Sequence, residues 1–75
     1  MIYSIEKRKI SDGGTVETVY EIYRYEGIRP NGSLYGGELC TTKKRKEEAE
    51  ACLRRKGMRF LIKRNSAQDV WIKEE

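Results

Sequence analysis

Turn-forming residues recur along this chain so often that they leave room for strands and one short helix, and for no long element. Ser11-Asp12-Gly13-Gly14 is a strong turn signal, because glycine accepts positive φ without strain at Cβ. Arg29-Pro30-Asn31-Gly32 is a second turn: proline presets φ, and Asn-Gly tolerates left-handed geometry. Asn65-Ser66-Ala67-Gln68-Asp69 reads as a loop, and Gly57 as a helix terminator.

Between these points the chain alternates like a sheet protein. Residues 2–10 read as a first strand. Thr15 to Glu26, rich in β-branched and aromatic residues, reads as the best strand in the chain. Its Val16/Thr18/Tyr20/Ile22 face is the more continuously apolar one and is expected on the core. Leu34 to Thr41 reads as a third strand, bent or bulged at Gly36-Gly37. Met58 to Arg64 reads as a fourth and Val70 to Ile72 as a short fifth, with Lys73-Glu74-Glu75 as a tail. Thr42 is the candidate N-cap of a helix from Lys43 to Lys56, whose Ala49, Cys52 and Leu53 share one face. The expected fold is therefore α+β: a small antiparallel sheet in the order β-β-β-α-β-β, with one helix packed on one face. Tyr20, Phe60 and Trp71 are expected to fill its core.

Residues 1–75 are read as a single domain. A chain of this length buries only about 60% of the surface its unfolded form exposes, so the core is small. Cys40 and Cys52 match no zinc or redox spacing and read as core thiols in a reducing compartment. The N-terminal residues contain no apolar segment of a signal peptide, and no apolar run approaches a membrane span. The expectation is a cytoplasmic protein without a membrane partner.

Without histidine, Ser-His-Asp and Cys-His catalysis are excluded. Neither of the glycine-rich phosphate loops is present. The chain is therefore expected not to be an enzyme and to bind no metal or cofactor. A ribonuclease built from Lys, Arg, Tyr and Glu alone is the remaining catalytic alternative.

The charge map is more informative. The chain carries a net +4, unevenly placed: residues 43–64 hold ten bases and three acids (net +7), and the remainder six bases and nine acids (net −3). Lys43, Lys44, Arg45 and Lys46 sit where the expected helix starts, against the positive end of its dipole. A phosphate would relieve that conflict. Arg54, Arg55, Arg59, Lys63 and Arg64 would extend the same track. Against this, Lys43–Glu47, Lys44–Glu48, Lys46–Glu50 and Glu50–Arg54 are i,i+4 pairs, and a solvated charge-laced helix accounts for them without a ligand.

Two resemblances bear on the partner. The stretch Thr42-Lys43-Lys44-Arg45-Lys46-Glu47-Glu48-Ala49-Glu50-Ala51, with the strand before it, resembles the last strand and second helix of a double-stranded RNA-binding domain over about a third of the chain. That family's first helix and loop histidine have no counterpart. The β-β-β-α opening is similar to the arm-binding domains of phage and transposon integrases, which implies a sheet that reads DNA. The leading expectation is a binding module for DNA or RNA. The alternative is a phage- or plasmid-type protein-binding regulator or inhibitor, possible as a homodimer, using Tyr23, Tyr25 and Tyr35 on an open aromatic sheet face.

Overall fold

The computed structural model describes residues 1–73; Glu74 and Glu75 of the expected tail lie outside the described residues. The chain runs through β1 (Ile2–Asp12), β2 (Thr15–Tyr25), β3 (Gly27–Ile28), β4 (Leu34–Tyr35), β5 (Glu38–Lys43), α1 (Lys46–Arg55), β6 (Met58–Asn65) and β7 (Gln68–Lys73). Five strands form one antiparallel sheet in the order β5-β2-β1-β7-β6, and β3 pairs with β4 in a small separate hairpin. The α+β class and the helix on one sheet face agree with the sequence reading. Among the described residues no helix is long and apolar enough to cross a membrane.

Local chemistry accounts for most of the connections. β1 and β2 join through a two-residue turn, Gly13-Gly14, with φ of +57° and +86°. Positive φ at both positions gives the turn a twist that matches its strands. Arg29 and Gly32 close the second turn by a 2.8 Å backbone bond, and the Asn31 side chain accepts from the Ser33 N–H at 3.0 Å. Gly36-Gly37 divides the expected third strand into β4 and β5. At Gly37 a Cβ would stand 2.7 Å from Tyr25 Cε1, so the bend can lie against that ring only without a side chain.

The core lies between the sheet and α1, where Tyr3, Ile5, Ile22 and Trp71 meet Ala49, Leu53 and Met58. Ala49 and Leu53, four residues apart, form the buried stripe, with Cys52 half-buried beside them. Gly57 follows the helix with φ +80°, and its N–H donates to the Arg54 carbonyl at 3.0 Å.

Several expectations are corrected. The helix begins at Lys46, with Arg45 as N-cap, because β5 remains paired to β2 as far as Lys43 opposite Tyr20. Thr42 is therefore a strand residue and not a cap. This also removes the RNA-binding-domain resemblance at its key point, since Lys43 and Lys44 precede the helix. The turn after β6 is only Ser66-Ala67, so Gln68 and Asp69 belong to β7. Val16 and Thr18 do not reach the core: β2 runs past the helix there, and Val16 is 63% exposed. Phe60 is 47% exposed on an edge strand whose register shifts between Phe60 and Ile62. Cys40 is exposed, and both cysteines are free.

Two features outside the core matter below. β7 pairs with β1 only through Glu6, and β5 with β2 only from Tyr20 onward. The rest of the β1–β2 hairpin projects as a two-stranded ribbon, exposed from Lys7 to Glu17, and the molecule measures 43 × 28 × 19 Å. At one edge of the sheet, β6 displays Phe60, Leu61 and Ile62, which are 47%, 42% and 53% exposed.

Candidate functional site

Residues opposite one another in an antiparallel sheet share a face, and this sorts the charges. Lys7 lies opposite Tyr20, Asp69 opposite Ile5, and Lys63 opposite Asp69, so all five stand on the helix side. Asp69, only 6% exposed, is the centre of the group. Lys46 Nζ, from the first turn of α1, lies 3.2 Å from Asp69 Oδ2, and Lys63 Nζ lies 3.4 Å from Oδ1. The hydrogen bond to Asp69, and then its charge, hold the Lys46 amine above the usual lysine value against the opposing effect of burial. A cavity of about 200 Å³ opens here between Lys7, Tyr20, Lys46, Lys63 and Asp69. Lys7 makes no ion pair among the described residues. Three cations thus face one carboxylate.

A shallower depression of about 310 Å³ adjoins the cavity and shares Lys46, Lys63 and Asp69 with it. Arg54 reaches into it two turns along the helix from Lys46, its guanidinium carbon 5.5 Å from the Trp71 ring centroid. Phe60 meets the same indole edge-on, with centroids 6.0 Å apart. The Trp71 N–H is buried without a hydrogen-bond partner among the described residues, and the ring packs under Arg54 and Phe60.

The i,i+4 pairs expected along the helix do not form. Lys43 and Lys44 are not helical, and neither Lys46–Glu50 nor Glu50–Arg54 closes to ion-pair distance among the described residues. Arg45 makes no side-chain cap bond. The helix start therefore keeps its positive potential, offset only by Glu47 and Glu48 in the first turn.

The other expected cations divide. Lys43, opposite Tyr20, adjoins the cavity on the helix side, with Lys44 and Arg45 exposed in the bend that follows. Arg59 lies opposite Ile72, which places it on the far face; Arg55 is exposed near the C-terminal end of α1, and Arg64 sits at a β6 irregularity. Lys7 and Asp69 were not expected at a site, and Tyr20 was expected only as a core residue, which it is in part, packing against the core while lining the cavity. No local motif marks them, since β1 and β7 become neighbours only in the fold.

The far face of the sheet is different in kind. Glu6 and Glu21 stand directly opposite each other, a repulsive pairing offset by donors. Glu6 Oε2 accepts from Tyr25 OH at 2.6 Å, Ser4 Oγ at 2.8 Å and Gln68 Nε2 at 3.1 Å. Glu21 accepts from Tyr23 OH at 3.3 Å and Arg8 at 3.4 Å. Burial, and then the Glu6 hydrogen bond, push the Tyr25 phenol up to about 12. Burial likewise raises Tyr23, with Glu21 adding to it. The two tyrosine hydroxyls thus serve the carboxylates of this face. Tyr35 is separate, on β4, with the Arg29 guanidinium 5.2 Å from its ring centroid.

No family model, curated protein or solved structure matches this chain.

Proposed function

We propose that this chain is a nucleic-acid-binding module that holds the phosphate backbone on its helix-side surface. The observation that carries the reading is the Lys7–Lys46–Lys63 cluster around a single buried carboxylate, beside a helix start whose flanking cations find no acidic partner on the helix. Lysine ammonium groups contact phosphates as point charges and make no demand on base sequence. Lys43, Lys44, Arg45 and Arg54 border the same surface and lengthen the track. The far face, with its opposed glutamates, would repel a phosphate and leaves the helix side as the binding side.

The test is fluorescence anisotropy with DNA and RNA oligonucleotides across a salt series. Affinity should fall with log[salt] at a slope of roughly −0.7 to −0.9 for each phosphate contacted. The triple variant Lys46→Gln, Lys63→Gln, Asp69→Asn keeps hydrogen-bonding groups at each site while removing two cations and one anion. It should lower affinity about tenfold and flatten the slope by roughly one to two units. A chain that binds no nucleic acid at about 50 mM salt, or binds it independently of salt, does not have this function.

A further inference from the structure

The geometry points to the projecting β1–β2 ribbon as an element that enters the major groove of double-helical DNA, with the lysine cluster at its base on the adjoining phosphates. This inference rests on the reading above and adds to it the kind of nucleic acid and the mode of contact.

Four observations carry it. The ribbon leaves the body of the sheet at Lys7 and Tyr20 and stays paired to its tip at Asp12 and Thr15. Its six residue pairs extend about 20 Å. The tip is a bare Gly13-Gly14 turn that adds no width. A two-stranded ribbon, its strands about 5 Å apart, fits a B-form major groove about 12 Å wide.

The ribbon's charges are sorted by face. Register places Lys7, Lys9, Ser11, Val16 and Thr18 on the helix side, and Arg8, Ile10, Asp12, Thr15 and Glu17 on the other. Both acids of the ribbon thus lie on the far side. The helix-side face is free of acid from the tip to Lys7, and Lys7 itself lines the lysine cavity. A predominantly cationic surface therefore runs from α1 onto the ribbon, with Glu50 and the buried Asp69 as the acids at its α1 end. Its hydroxyls and lysines suit the acceptors of base edges, and exposed Val16 suits a thymine methyl.

The same dimensions select against an RNA duplex, whose A-form major groove is too deep and narrow to admit the ribbon. They also select against single strands, since beyond Tyr20 at its base the helix-side face of the ribbon carries no aromatic on which an unpaired base could stack.

The experiment compares a B-form DNA duplex with an RNA duplex of the same sequence in the anisotropy assay, for the wild type, Lys9→Glu, Glu17→Gln and the triple cluster variant. Lys9 and Glu17 are exposed and at a distance from the core, so neither change threatens the fold. DNA should bind about tenfold more tightly than RNA. Lys9→Glu should lose about tenfold, and Glu17→Gln, on the far face, should lose nothing. Protein should protect guanine N7, which lies in the major groove, from dimethyl sulfate. If Lys9→Glu binds like wild type while the cluster variant is weakened, the ribbon assignment is wrong and the phosphate reading stands. Equal affinity for both duplexes, or unprotected N7, also overturns the ribbon assignment. Absence of all binding overturns both.

Discussion

At the scale of single residues, Asp69 holds two opposed roles. It pairs Lys46 and Lys63 in the folded chain, and it competes with any anion for the same ammonium groups. Asp69→Asn should therefore lower stability by about 1–2 kcal/mol in urea denaturation, a figure reduced by the solvent exposure of both lysines. The same change should raise affinity for a phosphate-bearing ligand several-fold. A variant that loses both stability and affinity would show that Asp69 orients the lysines more than it masks them. Tyr25 and Lys46 make a second prediction. Both have folded-state values above their unfolded ones, so each favours the fold below about pH 10 and loses that contribution as pH rises through its folded value. For Tyr25 the window runs from about 10 to about 12. Chemical denaturation should show stability falling across it, and Tyr25→Phe should flatten the fall while costing about 1–2 kcal/mol at neutral pH through the bond to Glu6.

At the scale of elements, the turns were legible because each is encoded by a few adjacent residues. Gly13-Gly14, Arg29-Pro30-Asn31-Gly32, Gly36-Gly37 and Gly57 all act as their local chemistry demands. The helix start was not. Thr42 satisfies the cap rule by sequence, but β5 pairing holds it extended, and the helix starts at Arg45 by default. That default is open to a test. Arg45→Ser supplies the missing acceptor at the N-cap and should stabilise the chain by about 1 kcal/mol. It also removes a cation from the helix start, so nucleic-acid affinity should fall in the same variant. A gain in thermal midpoint without loss of affinity would mean that Arg45 takes no part in binding. Strand alternation was likewise only half informative. It gave the faces of β2 correctly at Tyr20 and Ile22, yet cannot say how far a neighbouring helix reaches, which is why Val16 and Thr18 were misplaced. At Phe60 alternation gives the face, opposite Trp71, but not the exposure of an edge strand.

At the scale of the whole molecule, the candidate site depends on long-range pairing. Lys7, Lys46, Lys63 and Asp69 come from four elements, and they meet because β7 inserts between β1 and β6. The basic character of residues 43–64 was plain in the sequence, but its division between two sheet faces was not, and Arg59 is the residue most affected. The β6 edge has a practical consequence of its own. Phe60, Leu61 and Ile62 lie on an edge strand, paired to β7 on one side and, among the described residues, to no strand on the other. Such an edge is a template for fibrous growth by copies of the chain. Arg59, Lys63 and Arg64 flank them as electrostatic gatekeepers, and their repulsion reaches only about 10 Å at 0.1 M salt. Concentrated solutions should thus stay clear at low ionic strength and grow turbid as salt is added, a trend that light scattering would follow. A polyanion on the helix-side surface would neutralise Lys63, the guard that stands there, so the ligand that stabilises one molecule would lower the salt at which many of them leave solution.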